Sequence, residues 1–169
     1  MSRTEVNLNT LLILIISGIL LAAYGVQFIY KEEPCPLCML QRLGMIGVTC
    51  GAALNLCFGT RTTHFGFMLL SALVGGCVAL RQISLHVCPG FPHFGIPVLG
   101  MSLYTWSFLI FACVVLYVAI LLFLHEDKDQ EPVLPLSRLS FLAIGAVFFL
   151  CLANFISTLL SCGLGPCAD

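Results

Sequence analysis

Two cysteines separated by two residues, Cys35 and Cys38, are the residues of this chain best suited to chemistry. Two thiols at this spacing can close a small ring, so the pair can cycle between a dithiol and a disulfide. Arg42 follows Cys38 by four residues and would share one face of a helix that begins at the motif. A helix N-terminus and a nearby guanidinium both favour a thiolate over a thiol. We therefore expect a redox-active pair beside a cation that can donate to an oxygen of a bound acceptor.

Two other interpretations of this pair stay open. A structural disulfide would need neither the arginine nor the helix N-terminus. The other possibility is that the pair forms half of a zinc site, because further thiols are predicted on the same side of the membrane. However, the C-terminal cysteines, Cys162 and Cys167, have four residues between them, so no second motif of the same spacing exists. We therefore rank redox chemistry first and a zinc site third, and we predict no metal-binding residues.

The composition indicates that these residues are positioned by a membrane-embedded bundle. Of the 169 residues, 60% are hydrophobic and 9% are charged, against roughly 25% charged in soluble domains. The net charge of −1 gives no basic surface for nucleic acid. Crossing a bilayer takes about 20 apolar residues, and the predicted spans are about 8–30, 42–59, 63–85, 100–124 and 138–160. The predicted fold is a single all-α membrane domain, an antiparallel four-helix transmembrane bundle plus a fifth transmembrane helix in the lipid bilayer.

Five crossings would place the redox loop 31–41, the outer loop 86–98 and the redox tail 161–169 on one side of the membrane. These segments hold five cysteines, namely Cys35, Cys38, Cys88, Cys162 and Cys167. A one-sided collection of thiols is typical of disulfide chemistry in an oxidising compartment such as the periplasm. A slight excess of Lys and Arg on the opposite side agrees with a cytoplasmic N-terminus. We therefore expect a multi-pass protein with a periplasmic C-terminal tail.

The C-terminal tail is the second candidate redox element. Glycines and a proline between Cys162 and Cys167 suit a tight turn, so the two cysteines can form a mobile second redox pair. The alternative is a frayed terminus without a role. The cysteines within spans are expected to pack as small apolar residues. They are Cys50, Cys57, Cys77, Cys113 and Cys151.

Other polar and aromatic residues are predicted near the motif. His86 ends the third span on the same side as Cys38 and can converge with Arg42 on a cleft for a quinone-like acceptor. The alternative is a hydrogen-bonded structural histidine. Tyr104 and Trp106, at the start of the fourth span, are typical of an interfacial aromatic anchor.

Three stretches of the chain resemble a known family, the disulfide bond formation protein B (DsbB) family. They are Cys35-Pro36-Leu37-Cys38-Met39-Leu40-Gln41-Arg42, residues 79–86 and residues 99–106. The resemblance implies a protein-disulfide-forming thiol:quinone oxidoreductase of the bacterial inner membrane. Such an enzyme reoxidises a periplasmic thioredoxin-fold dithiol oxidase (DsbA-like) and passes the electrons to ubiquinone or menaquinone. By position, Cys35 and Cys38 would be the quinone-coupled pair, and Arg42, Gln41 and His86 would bind the quinone.

The chain departs from the best-known members of that family at its C-terminal end. Those members have four spans and a longer outer loop that carries a second cysteine pair. Here the outer loop holds Cys88 alone, and a fifth span leads to Cys162 and Cys167. We hypothesise that the tail pair replaces the loop pair. Two rival functions stay open: a reductive enzyme resembling vitamin K epoxide reductases, with reversed electron flow, and a non-enzymatic metal-binding membrane protein.

Overall fold

The computed structural model describes residues 3–30, 35–87, 98–124, 136–163 and 165. Within them the chain forms five α-helices, which are α1 (Arg3–Tyr30), α2 (Pro36–Phe58), α3 (Thr62–Val87), α4 (Leu103–Leu124) and α5 (Arg138–Cys162). All five are long and apolar enough to cross a membrane. The prediction of an all-α membrane bundle with a fifth helix is confirmed.

The distribution of side chains is that of a protein surrounded by lipid. Phe123, Phe148 and Leu160 are 95%, 74% and 82% exposed on the outer surface. The interior, by contrast, holds several amide side chains, namely Asn9, Gln41, Asn55, Gln82 and Asn154. A water-soluble monomer rarely exposes large contiguous apolar surfaces, whereas polar groups inside a membrane turn towards the interior of the bundle. The chain is therefore a multi-pass membrane protein.

The cysteine motif forms the N-terminus of α2. The helix begins at Pro36 rather than near residue 42, so residues 36–41 of the predicted redox loop are helical. Cys35 is the N-cap residue, with φ −68° and ψ 150°, and its Sγ accepts a hydrogen bond from the Cys38 N–H at 3.1 Å. Pro36 occupies the first helical position, where a missing N–H costs no helical hydrogen bond. The capping chemistry thus places both sulfurs at the helix end.

Helix α2 is the centre of the bundle and packs against the other four helices. A short connection through Gly59, with φ 82°, turns the chain so that α3 runs antiparallel beside α2. Helices α1 and α5 run parallel, because Thr10 contacts Ser140 near their starts and Tyr24 contacts Asn154 near their ends. The C-terminal end of α5 therefore lies at the same end of the bundle as the cysteine motif.

A phenylalanine ring holds α4 against α2 and α3. The Phe111 side chain is 1% exposed and fills the space left by two glycines, Gly44 of α2 and Gly75 of α3. A Cβ atom at Gly75 would overlap the ring, and one at Gly44 would lie 3.1 Å from its Cζ. These close approaches determine the position of α4. Ile110, which precedes Phe111 in α4, lines a cavity near the cysteine motif.

Candidate active site

Cys35 and Cys38 are joined by a disulfide across the first turn of α2, with their Cα atoms 5.2 Å apart. Both residues are partly exposed. The N-terminus of α2 directs unpaired N–H groups and the positive end of the helix dipole towards this position. One of those N–H groups, that of Cys38, already donates to the Cys35 sulfur. When the disulfide opens, the same environment stabilises a thiolate.

Two glutamine side chains support the disulfide from inside the bundle. The Nε2 group of Gln82, in α3, lies 3.5 Å from the Cys35 Sγ and 3.6 Å from the Cys38 Sγ. The Oε1 atom of Gln82 accepts a hydrogen bond from the Gln41 Nε2 at 2.5 Å. Both glutamines are at least 96% buried, with exposures of 2% and 4%. Since Gln41 occupies the Gln82 oxygen, the amide is oriented with its donors towards the two sulfurs.

Arg42 lies one turn below Cys38 and contacts two residues of α1. Its Nη1 donates to the Gln27 Oε1 at 2.6 Å, and its Cζ lies 4.5 Å above the centre of the Tyr24 ring. A guanidinium over an aromatic face is held by cation–π attraction. Both of these partners are uncharged, so within the part of the chain that the structure describes they leave the charge of Arg42 available to a ligand. A guanidinium also has five N–H donors, more than Gln27 can occupy.

A cavity of about 350 Å³ connects the disulfide with the arginine. It lies between α1 and α4, with α2 behind it, and most of its wall is apolar. The polar and sulfur groups nearest the motif come from Gln27, Cys35, Cys38, Gln41, Arg42 and Gln82, and the wall also includes Met45, Tyr104, Trp106 and Ser107. Ligand cavities of this size commonly combine apolar walls with a few placed polar groups. A quinone has an apolar ring and two carbonyl oxygens, so the residues present fit such a ligand, with Arg42 as the donor to an oxygen.

The structure brings four of the residues predicted from the sequence to this cavity, namely Cys35, Cys38, Gln41 and Arg42. His86 is not among the residues that line it. Its ring stacks on Tyr104 with centroids 5.0 Å apart, and its Nδ1 lies 2.8 Å from the Gln82 carbonyl oxygen. Tyr104 itself lines the cavity, so His86 is separated from the cavity by the Tyr104 side chain. Its role as a quinone neighbour stays a prediction.

Several residues that line the cavity or contact Arg42 were not predicted as site residues. Gln82, Tyr24 and Gln27 were missed, and Tyr104 and Trp106 were interpreted as an interfacial anchor, although both line the cavity. The available signal was the presence of polar side chains within apolar helices, which often marks a functional position. The Trp106 side chain is held by a hydrogen bond from its Nε1 to the Val98 carbonyl oxygen at 3.0 Å.

The predicted tail pair lies mostly outside the described residues. Helix α5 ends at Cys162, but the side chain of Cys162 is not described, and Cys167 and Cys88 lie outside the described ranges. The pairing of Cys162 with Cys167 stays a prediction. In the parts of the chain described here, no three His, Cys, Asp or Glu residues lie close enough together to hold a metal ion.

A disulfide that opens onto an apolar cavity inside a multi-pass bundle defines a class of membrane proteins with a redox-capable centre. Comparison with known families agrees: the family model described as disulfide bond formation protein DsbB matches residues 5–94. The match includes the cysteine motif and covers more than half of the chain, so the chain belongs to the DsbB family. Helices α4 and α5 lie outside the matched residues.

Several curated proteins named disulfide bond formation protein B are similar to part of this chain. The protein of Chromobacterium violaceum is 42% identical over 67 residues, which are 37% of this chain and 40% of the relative. The protein of Burkholderia pseudomallei is 32% identical over 93 residues, or 53% and 54% of the two chains. The protein of Hahella chejuensis is 36% identical over 80 residues, or 45% and 48%. The chain thus spans about half the length of these relatives or less, and no solved structure matches it.

Proposed function

We propose that this protein is a membrane thiol:quinone oxidoreductase that reoxidises a periplasmic thioredoxin-fold dithiol oxidase of the DsbA type. The observation that carries the proposal is that the Cys35–Cys38 disulfide and Arg42 line one cavity of about 350 Å³. The disulfide can take up electrons from thiols, and the cation can bind an oxygen of an acceptor. Membership of the DsbB family supports the same activity.

Two exchange reactions bring electrons to the cavity. A dithiol of the partner reduces a Cys162–Cys167 disulfide through a mixed disulfide, so the partner is oxidised and two thiols form in the tail. These thiols then reduce the Cys35–Cys38 disulfide in the same way and return to a disulfide. A ubiquinone or menaquinone held in the cavity by Arg42 would supply the acceptor for two electrons and two protons, and Cys35 and Cys38 would return to the disulfide.

The residues around the cavity have separate roles in this reaction. Gln82 donates towards both sulfurs and stabilises negative charge on whichever cysteine is released. Arg42 binds and orients the acceptor through its charge and its N–H groups. Apolar side chains such as Val26 of α1 and Ile110 of α4 form the wall against which the apolar part of the acceptor would pack.

The position of the α5 end supports the tail as the electron donor. Tyr24 contacts Arg42 on one side and Asn154 on the other. The three residues therefore lie at about the same level of the bundle. Cys38 precedes Arg42 by four residues, a rise of about 6 Å, and Cys162 follows Asn154 by eight residues, about 12 Å. Cys162 thus comes within about one helical turn of the Cys38 level.

We place the cysteine end of the bundle at the periplasmic face of the bacterial inner membrane and the N-terminus in the cytoplasm. Disulfides form and persist in an oxidising compartment, which the cytoplasm is not. The cysteine motif and the end of α5 share one end of the bundle, so both face that compartment in this orientation.

The proposal is tested by incubating the purified full-length protein with a reduced thioredoxin-fold oxidase and ubiquinone-1. We expect one quinone to be consumed for each disulfide formed in the partner, measured by the loss of quinone absorbance and by thiol alkylation. A reaction with quinol and the oxidised partner measures the opposite direction. Faster reduction of the partner by quinol than oxidation by quinone would overturn the proposal in favour of a quinone-linked thiol reductase with reversed electron flow. Absence of both quinone reduction and quinol oxidation would overturn both.

A further inference from the structure

None of the described side chains of α5 lines the cavity, but a buried polar residue of α5 contacts the site through α1. Asn154 lies in the otherwise apolar stretch of α5 and is 7% exposed. Its Oδ1 accepts a hydrogen bond from the Tyr24 hydroxyl group at 3.1 Å. An amide inside a membrane helix is costly unless it is paired. Its partner here is the residue whose ring supports Arg42.

We propose that Asn154 is a positioning residue that orients Arg42 for the acceptor by fixing the ring of Tyr24, an inference that rests on the proposed function. The Tyr24 hydroxyl is bound at one end by Asn154, and the face of the ring lies 4.5 Å from the Arg42 Cζ. A phenol held at its hydroxyl cannot tilt away from the guanidinium without breaking that bond. The aromatic face and the Gln27 oxygen then fix the guanidinium from two directions.

Tyr24 and Gln27 belong to one face of α1, because residues three apart are neighbours on a helix. Helix α5 packs against both α1 and α2. The position of that face of α1 relative to α2 therefore depends on the packing of α5. Helix α5 lies outside the part of the chain that matches the DsbB family model. The fifth helix therefore supports the acceptor-binding cation from behind, in addition to leading to the tail cysteines.

Asn154→Leu and Tyr24→Phe remove the two ends of the same hydrogen bond and test the proposal. Each is expected to raise the KM for ubiquinone-1 by roughly three- to tenfold, the range of single hydrogen bonds between membrane helices, with a smaller change in kcat. The double variant should lose no more than either single variant, because both remove one interaction. In the background of Arg42→Ala, Asn154→Leu should have no further effect on KM.

Thr10→Val is the matched control. It removes another hydrogen bond between α1 and α5, the one between the Thr10 and Ser140 hydroxyl groups at 3.0 Å, near the opposite end of the two helices. If loss of any α1–α5 bond loosened the bundle and weakened the site, Thr10→Val would raise KM as much as Asn154→Leu. We expect wild-type KM. Equal effects of the two variants would reduce Asn154 to a structural residue and overturn the proposal.

A binding measurement separates this proposal from the proposed enzymatic activity. Trp106 is the single tryptophan of the chain and lines the cavity, so quenching of its fluorescence reports ubiquinone-1 binding without turnover. Weaker quinone binding in Asn154→Leu, with wild-type binding in Thr10→Val, supports the positioning role even if no partner is oxidised. Normal turnover with unchanged KM and binding in Asn154→Leu overturns the positioning role alone. Absence of quinone binding to the wild-type protein overturns both proposals.

The packing of α5 in these variants is checked with Cys50 of α2 and Cys151 of α5, whose Sγ atoms lie 4.0 Å apart. Oxidation with iodine should link them to the same extent in the wild type and in Asn154→Leu, as measured by mass spectrometry of the peptides. A KM change without loss of this link assigns the effect to the Tyr24 ring. A KM change that accompanies loss of the link overturns the positioning role, since α5 has then moved as a whole.

Discussion

Two pairs of cysteines lie close together in the structure, and each pair includes one residue of α2. The surroundings of the two pairs differ. Cys38 pairs with Cys35 at the helix N-terminus, against the Gln82 amide and on the wall of a cavity. Cys50 faces Cys151 with 4.0 Å between the sulfurs, three helical turns further into the apolar part of α2, and neither residue lines the cavity. We therefore expect that two close sulfurs alone do not make a pair that exchanges electrons during turnover. A thiolate also needs donors and a cation, because a charge in the apolar part of a membrane is costly.

The comparison predicts opposite results for the same substitution at the two pairs. Cys38→Ser should abolish quinone reduction, because serine cannot form the disulfide that carries the electrons. Cys151→Ser should keep the turnover within about twofold of the wild type, since a buried thiol acts there as a small apolar group. Dithiothreitol-driven reduction of ubiquinone-1 by the purified protein measures both. An equal loss in the two variants would contradict the distinction between the pairs.

The donor side of the reactive pair is the next largest expected effect. The double substitution of Cys162 and Cys167 by serine should stop oxidation of a thioredoxin-fold partner and leave dithiothreitol-driven quinone reduction intact. The reason is that a small thiol can reach the partly exposed Cys35–Cys38 disulfide directly, whereas a folded partner needs the tail. Partner oxidation is measured by alkylation of its thiols. Normal partner oxidation in the double variant would remove the tail from the relay.

The acceptor side depends on the cation. Arg42→Ala should raise the KM for ubiquinone-1 by roughly tenfold to a hundredfold, the range expected for loss of a charge-assisted hydrogen bond. Arg42→Lys should recover part of the loss, because lysine keeps the charge but lacks the planar group that stacks on Tyr24. Arg81→Ala is the matched control. Arg81 is an exposed arginine of α3 at the end of the bundle that holds the cysteine motif, and it does not line the cavity. An unchanged KM in Arg42→Ala would contradict the role of Arg42.

The sequence predicted those features that depend on neighbours along one helix. The apolar runs predicted the helices, and the spacing of Cys38 and Arg42 predicted that they share a face. The start of α2 was the main difference in the bounds of the elements: the apolar run begins near residue 42, but Pro36 and the Cys35 cap extend the helix to the motif. The order of the helices then determined which ends meet.

The features that depend on rotation of one helix against another could not be predicted. Gln82 and His86 are four residues apart on one face of α3, and the sequence does not say which of the two reaches the level of the sulfurs. In the structure Gln82 contacts them, and His86 lies one turn further out against Tyr104. The contact between Asn154 and Tyr24 joins residues 130 positions apart, so no local pattern indicates it.

The smallest predicted effect concerns the amide that distinguishes the reactive pair from the other one. Gln82→Leu removes the donors that lie 3.5 Å and 3.6 Å from the two sulfurs. These donors bind a thiolate more strongly than a disulfide sulfur, because hydrogen bonds to ions are roughly twice as strong as neutral ones. Their loss therefore destabilises the reduced form, and the reduction potential of the pair should fall by about 10–30 mV. Equilibration of the protein with dithiothreitol redox buffers, followed by alkylation, measures the potential.

Gln41→Leu is the control that separates the donor effect from the loss of a buried amide. It removes the hydrogen bond that helps to orient the Gln82 amide but keeps the Gln82 amino group, which is the donor to both sulfurs. Its potential should therefore shift by less than half of the shift in Gln82→Leu, although both variants lose one buried hydrogen bond and similar stability. Equal shifts would mean that the packing of the amide pair, rather than donation to sulfur, controls the potential. The reactive pair would then differ from Cys50 and Cys151 through the helix N-terminus and Arg42 alone.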